Sequence, residues 1–117
     1  MKATLLGFGR IEIEGQQYDH DLVIDAGRVR TRGKKPSKPY RAQYGHTPLS
    51  AEEAVPWGGK QLIVGTGTYG SLPIMPAVYE EAGRRGVEIV ALATGVACEL
   101  IRGRKAKEVY AILHVTC

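Results

Sequence analysis

A glycine-rich stretch over residues 61–72 holds the residues of this chain that could most readily bind a ligand. A short apolar run there breaks into glycines, and a pattern typical of a helix follows. Glycines directly after a strand let backbone N–H groups approach an anion or a carbonyl, because no Cβ is in the way. The stretch therefore predicts a site for a small molecule or an anion at strand ends. The predicted site residues are Gly65, Thr66, Gly67, Thr68, Tyr69 and Gly70, with Thr94 and His114 from other strand ends.

The glycine spacing formally fits the dinucleotide-binding fingerprint, but its context does not. That fingerprint needs a helix that opens within the glycine turn, so that the helix N-terminus meets the pyrophosphate. Here Pro73 and Pro76 delay the helix, and no lysine follows the glycines as it would in a P-loop. We therefore predict no cofactor. Two interpretations of the turn stay open: a nest of N–H and threonine hydroxyl groups around an anion, or a tight exit from the strand.

His114 is the histidine with the clearest structural setting, on the last predicted strand with Tyr110 and Ile112 on the same face. It is either a partly buried, hydrogen-bonded group or a base that acts with Thr94 and Tyr69. No helix carries a histidine–carboxylate spacing typical of zinc sites, and no Gly-x-Ser-x-Gly motif occurs. The sequence therefore predicts no metal site and no catalytic residues.

Charge divides the N-terminal third into two halves. Residues 11–25 carry five carboxylates and no lysine or arginine, whereas residues 28–41 carry seven lysines and arginines and no acid. Such a basic stretch with tyrosines beside it could hold a phosphate backbone and stack on bases, or be a solvated strand face and loop. It could also bind a protein. The candidate partner-binding residues are Arg28, Arg30, Arg32, Lys34, Lys35, Tyr40 and Trp57.

The elements that must position these residues change character near Lys60. Before it, alternating apolar residues and glycine turns predict an antiparallel β meander, followed by a basic, proline-containing loop over residues 33–48 and a short helix capped by Ser50. After it, the pattern is β-α-β-α-β. The predicted strands cover residues 8–15, 18–25, 28–32, 61–65, 87–93 and 108–116, and the predicted helices cover 76–85 and 94–103. The fold class is therefore mixed α/β, a single three-layer domain around a central mixed sheet.

Length and composition limit the classes of protein that fit. At 117 residues the chain is expected to form one domain. Its apolar runs are too short to span a bilayer and no secretory signal is evident, so we expect a cytoplasmic protein without membrane contact. Cys98 is predicted to be a buried, unreactive residue of an amphipathic helix, and no disulfide framework is expected.

Three sequence blocks together resemble the small Mth-type domain family, and they span nearly the whole chain in the family's order. The blocks are Gly7–Asp21, Ile63–Gly70 and Leu113–Cys117. The resemblance implies a three-layer α/β fold on a central mixed sheet and no established enzymatic activity. Relatives include the adipogenesis-associated Mth-domain-containing protein and a mitochondrial complex I assembly factor, which implies action through protein partners.

This resemblance makes a non-enzymatic protein-binding or assembly-type module the leading hypothesis, with a mobile 33–57 segment as the contact region. The chain departs from the family pattern at residues 33–48, which are unusually basic and rich in proline, so the family's partners are not carried across. A small-molecule or anion site at the glycine turn is the alternative, and nucleic-acid binding through residues 28–41 is the second alternative. The oligomeric state is left open.

Overall fold

Helices and strands follow the changes of hydrophobic period along the chain. In the computed structural model, which describes residues 1–117, the strands are β1 (Ala3–Gly7), β2 (Arg10–Ile13), β3 (Gln16–Tyr18), β4 (Leu22–Asp25), β5 (Arg28–Thr31), β6 (Gln61–Thr66), β7 (Glu88–Leu92) and β8 (Tyr110–His114). The α-helices are α1 (Arg41–Tyr44), α2 (Pro76–Arg85) and α3 (Thr94–Arg102), and residues 35–40 and 106–108 form 3₁₀ turns.

The strands form two sheets. A small antiparallel sheet has the order β1-β2-β3, and a five-stranded mixed sheet has the order β5-β4-β8-β6-β7. Strand β8 is central, since it pairs antiparallel with β4 and parallel with β6. The predicted mixed α/β fold is confirmed. The predicted strand over residues 18–25 is instead divided between the sheets, because β3 ends at Tyr18 and β4 begins only at Leu22.

Alternating side chains of the large sheet form two apolar cores. Leu22, Ile63 and Leu113 face the core shared with the small sheet and α3, whereas Val23 and Ile112 face the core shared with α2. The sequences of β6 and β8 are nearly continuous apolar runs, as expected of central strands that are covered on both faces. The three layers follow from this arrangement.

Residues that favour helix ends predicted the bounds of a helix correctly where no tertiary contact engaged those residues instead. Helix α2 begins at Pro76 and ends at Arg85, and Gly86 follows it at φ 67° in the left-handed conformation. The short helix predicted after Ser50 was wrong, because no helix forms there. The Ser50 hydroxyl lies 2.7 Å from Ser37 Oγ in a buried contact, and this contact replaces the predicted N-cap.

Two further side chains, those of Cys98 and Trp57, are fully or partly buried. Cys98 is fully buried in α3, as predicted, and burial raises the pKa of its thiol to about 11. Trp57 packs partly buried against the α2 core, and the Arg85 guanidinium lies 5.5 Å from its ring centroid. None of the helices is both long enough and apolar enough to cross a membrane.

Candidate functional site

Strand register brings a carboxylate between an arginine and a histidine. Leu22 on β4 lies opposite Thr31 on β5 and opposite Leu113 on β8. One residue further along, Asp21 therefore lies between Arg32 and His114. Asp21 Oδ2 accepts a hydrogen bond from Arg32 Nη1 at 2.9 Å and lies 2.8 Å from His114 Nδ1. Its other oxygen accepts the Val115 N–H at 3.0 Å.

Arg32 holds a second carboxylate as well. Its Nε and Nη2 donate to the two oxygens of Glu53 at 2.8 Å each, and Nη2 also donates to the Pro48 carbonyl at 3.1 Å. The Arg32 side chain is 1% exposed and that of Glu53 is 3% exposed. Ser37 donates to the same Glu53 carboxylate. Although the 33–57 segment was predicted to be mobile, buried hydrogen bonds from Arg32 hold it at two residues, Pro48 and Glu53.

The charges of this buried network favour one another. Burial by itself would raise the pKa of Asp21, but the hydrogen bond and charge of His114, the Val115 amide and the Arg32 charge together lower it to about 2. Burial by itself would lower the pKa of Arg32, but its hydrogen bond to Glu53 and the two carboxylates raise it. Asp21 and Arg32 are therefore both ionised at neutral pH.

Because the pKa of Asp21 falls from 3.8 to about 2 on folding, we expect acid to destabilise the protein. The stabilisation is fully present above the unfolded pKa and is lost as the pH falls through the folded pKa. By proton linkage it amounts to about 2 kcal/mol. Urea unfolding of the wild type between about pH 5 and about pH 2 should show this loss.

Asp21→Asn provides the comparison for this prediction, since its side chain cannot ionise. It should be less stable than the wild type at pH 5, and the difference should shrink toward pH 2. Asp19→Asn removes an exposed carboxylate from the same acidic run and should keep the wild-type pH profile. Equal pH profiles for all three proteins would contradict the assignment to Asp21.

The companions predicted for His114 lie in other positions. Thr94 contacts it only through the main chain, because Thr94 Oγ1 donates to the His114 carbonyl at 2.5 Å. Tyr69 is 73% exposed, and its ring lies beside that of Phe8 with a centroid distance of 6.1 Å. The side-chain neighbours of His114 are Asp21 and Thr116, whose Oγ1 lies 3.3 Å from Nε2.

The amides of the glycine turn are bound within the protein. Gly67 N–H donates to Thr94 Oγ1 at 2.8 Å, and Thr68 N–H donates to the Thr116 carbonyl at 2.6 Å. Gly70 and Ser71 donate to the carbonyls of Gly67 and Cys117, respectively. The Thr66 hydroxyl donates to Leu92 O at 3.0 Å, and that of Thr68 donates to Val115 O at 3.2 Å. These bonds attach the turn to the segment after β8, an arrangement that supports the tight-exit interpretation.

A pocket of about 280 Å³ lies between the segment over residues 32–47 and the end of β8. Basic and hydroxyl side chains dominate its lining, and no aspartate or glutamate side chain contributes to it. The cationic pocket, as we name it, is lined by Arg32, Lys34, Lys38, Arg41, His46, Thr47, Ser71, Leu72, His114, Thr116 and Cys117. Its lining can therefore donate hydrogen bonds to an anion.

Only some residues predicted to bind a partner or ligand meet in this pocket. Of the partner-binding set, Arg32 and Lys34 line it, and His114 is the only member of the predicted ligand-binding set that does so. Arg30 is exposed and donates to the Ala54 carbonyl at 2.6 Å. Tyr40 donates to Glu52. Arg28 and Lys35 are exposed outside the pocket.

Sequence reasoning missed Asp21 and Glu53 as site residues, and it included Lys38 and Arg41 only in the basic stretch 28–41 that could bind nucleic acid. A signal for Asp21 was present, since the turn at residues 26–27 fixes a hairpin register that pairs position 21 with position 32. No comparable signal exists for Glu53, which reaches Arg32 from a segment without regular structure. The structure gathers no group of three or more His, Cys, Asp or Glu side chains that could hold a metal ion.

Comparison with known proteins extends the resemblance seen in the sequence. The conserved hypothetical protein PH1505 from Pyrococcus horikoshii OT3 has a similar structure, with a TM-score of 0.75, 30% identity and all of both chains covered. MT938 is similar with a TM-score of 0.67 and 25% identity over 94% of this chain and 93% of its own. A Bordetella pertussis protein described as a Mth938-like domain shares the fold, with a TM-score of 0.56 and 18% identity over 96% of this chain and 85% of its own.

A search of curated proteins gave no match. A family model described as a protein of unknown function (DUF498/DUF598) matches residues 3–114. This match covers nearly the whole chain, and it agrees with the Mth938-like domain among the structural neighbours. The resemblance to the Mth-type domain family is thereby confirmed, and the chain belongs to the DUF498/DUF598 family of proteins of unknown function.

Proposed function

We propose that this protein binds a small oxyanion, or a phosphate or carboxylate group of a larger ligand, in the cationic pocket. One observation carries the proposal: four lysine or arginine side chains and two histidines line the pocket without any acidic side chain. Lys38 and Arg41 have no carboxylate within 4.0 Å, so they can attract an anion into the pocket, and hydrogen bonds between charged groups are the strongest of their kind.

The two ends of the pocket contribute differently. On the inner side, Asp21 and Glu53 hold Arg32 rigidly, so this part of the wall is organised before a ligand arrives. On the outer side, Lys38 and Arg41 are exposed and lie within 4.0 Å of no carboxylate. An entering anion can therefore pair with them without breaking an existing salt bridge.

The size and polarity of the pocket limit the ligand. About 280 Å³ is at the low end of ligand pockets, which typically begin near ~300 Å³. Hydroxyls of Thr47, Ser71 and Thr116 add donors, while Leu72 is the one aliphatic side chain in the lining. These features favour a compact, strongly polar ligand over an apolar one.

Calorimetric titration with inorganic phosphate and with sulfate tests the proposal. We expect saturable binding that weakens with added salt, because the interaction is between charges. The double variant Lys38→Gln/Arg41→Gln should weaken binding at least about tenfold, since each lost charged hydrogen bond is worth about 1.5 kcal/mol or more.

Arg28→Gln/Lys35→Gln is the matched control, because it removes the same two charges outside the pocket. It should keep most of the affinity. Equal losses in the two double variants would show a diffuse charge effect and contradict a pocket site, as would the absence of binding to the wild type. A gel shift with nucleic acid that depends on Arg28 and Lys35 would favour the nucleic-acid alternative.

A protein-binding or assembly role, which the family resemblance implies, is the second candidate. The observation that favours it is an exposed aromatic pair, Phe8 and Tyr69, which are 55% and 73% exposed. Exposed aromatic residues concentrate binding energy when a partner covers them. Phe8→Ser/Tyr69→Ser should abolish capture of a partner from the host extract while the pocket variants keep it; capture that is unchanged by the aromatic variant would contradict this role.

A further inference from the structure

We propose that an anion in the cationic pocket binds together with one proton on His114 Nε2, so that the preferred ligand is a fully deprotonated oxyanion. The inference deepens the proposed function and rests on it. It follows from the hydrogen bonds that fix the two imidazole nitrogens, and it assigns His114 as the residue that selects the protonation state of the ligand.

Nδ1 of the His114 imidazole contacts the carboxylate of Asp21. Asp21 accepts hydrogen bonds from Arg32 Nη1 at 2.9 Å and from the Val115 amide at 3.0 Å, so its carboxylate is held in the ionised form. An ionised carboxylate only accepts hydrogen bonds. His114 Nδ1, at 2.8 Å from Asp21 Oδ2, must therefore carry a hydrogen.

The other imidazole nitrogen, Nε2, lies beside the hydroxyl of Thr116, and both residues line the pocket. In a neutral imidazole with hydrogen on Nδ1, Nε2 carries a lone pair and accepts. The Thr116 hydroxyl, 3.3 Å away, can donate to it when the pocket is empty. A fully deprotonated oxyanion has only lone pairs to offer, so it is repelled by this nitrogen unless Nε2 is protonated and becomes a donor.

The buried charges next to the imidazole do not balance. Arg32 carries one positive charge against the two negative charges of Asp21 and Glu53, which leaves the buried network one positive charge short. Lys34 Nζ lies 3.9 Å from Asp21, but its side chain is 46% exposed, so water screens much of its charge. A protonated His114 supplies the missing charge inside the network.

A bound anion favours a proton on His114, because the negative charge of the anion attracts the positive charge of the imidazolium. The other charged or titratable residues of the pocket lining are Arg32, Lys34, Lys38, Arg41, His46 and Cys117, and Asp21 contacts the imidazole directly. Binding of the anion and binding of the proton must therefore promote each other, because coupling between two sites is reciprocal.

The charge of the ligand follows from this coupling. An anion that keeps a hydrogen of its own gains less from the protonated imidazole than a fully deprotonated one. The pocket thus favours ligands such as sulfate or the dianion of a phosphate ester over a monoanion that bears a hydroxyl hydrogen.

Sulfate is the probe of choice, because it keeps both charges throughout the range in which histidine titrates. Titration calorimetry between about pH 6 and about pH 8, in buffers with different enthalpies of ionisation, measures the number of protons taken up. We expect uptake that approaches one proton per sulfate, with an affinity that falls up to about tenfold per pH unit as the pH rises.

His114→Asn is the informative variant, since its amide nitrogen can still donate to Asp21 while it has no counterpart of Nε2. Proton uptake should be lost in it. His46→Asn, which changes the other histidine of the pocket, should keep it. Sulfate binding without proton uptake in the wild type, or uptake that depends on His46 instead, would overturn the inference and leave the anion site standing. Absence of sulfate binding at every pH would overturn both.

A measurement on the wild type covers the case in which His114→Asn does not fold. The ¹⁵N chemical shift of His114 Nε2 should move from the value of an unprotonated nitrogen toward that of a protonated one when sulfate is added at constant pH. A shift that stays unchanged while sulfate saturates the protein would overturn the inference.

Discussion

Replacement of Arg32 by methionine is expected to destabilise the protein by about 3–5 kcal/mol. Methionine matches the arginine side chain only as far as Nε and carries no charge, so Asp21 and Glu53 would remain buried without their shared cation. Removing one partner of a buried ion pair costs more than the pair contributes, because the remaining charge is not solvated. Urea denaturation, which gives the free energy of unfolding, measures the effect.

Arg30→Met is the matched control for this prediction. Arg30 is exposed two residues before Arg32, in β5, and its side chain makes one hydrogen bond, to a main-chain carbonyl, so its replacement should cost less than about 1 kcal/mol. Adding Glu53→Gln to Arg32→Met removes one of the stranded charges and should recover part of the loss, since the two residues are coupled. A cost below about 1 kcal/mol for Arg32→Met would contradict a buried, ionised network.

Replacement of Gly67 by alanine is the second large effect, with an expected cost of about 2–4 kcal/mol. Gly67 has a φ of 108°, which side chains with a Cβ rarely adopt. A Cβ there would also lie 2.2 Å from the main-chain carbon of Cys117. The turn and the segment after β8 would have to separate, at the cost of the hydrogen bonds between them. Thermal or urea unfolding measures the loss.

Gly70→Ala separates the two causes, because Gly70 also has a positive φ, of 71°, but its added Cβ would approach no atom closer than 3.6 Å. It should cost about 1 kcal/mol, the conformational part alone. Equal costs at the two positions would show that the close approach at Gly67 relaxes freely. The same geometry means that a bulky residue at Gly67 disturbs the fold, so ligand binding is better tested at Lys38 and Arg41.

Local sequence patterns predict one contact of Asp21 in the site but not the other. The hairpin around residues 26–27 sets a register in which Asp21 and Arg32 are opposite, and this pairing was predictable from the turn and the alternation of the strands. His114 is 93 positions away from Asp21 in sequence, and it meets Asp21 only because β8 enters the sheet between β4 and β6. No local pattern contains that choice of neighbours.

The 49–55 segment is the clearest case of a local signal that tertiary contacts overrode. Ser50 followed by Glu52 and Glu53 is a good helix start, because a hydroxyl cap and early acids suit the first turn. In the fold, however, Ser50 contacts Ser37, and the Glu53 carboxylate accepts two hydrogen bonds from Arg32 and one from Ser37. A buried bidentate ion pair outweighs one helix cap, whose worth is about 1 kcal/mol.

The amino-acid sequence by itself determined the β-α-β-α-β order after Lys60, the ends of α2 and the mixed α/β class, because hydrophobic period, proline and glycine act over a few residues. It also determined the excess of basic residues in the 28–41 stretch. Only the tertiary structure decided that Arg32 is buried while Lys38 and Arg41 converge on His114 to form a pocket. Burial and charge pairing depend on which distant segments pack together, and that is a property of the whole fold.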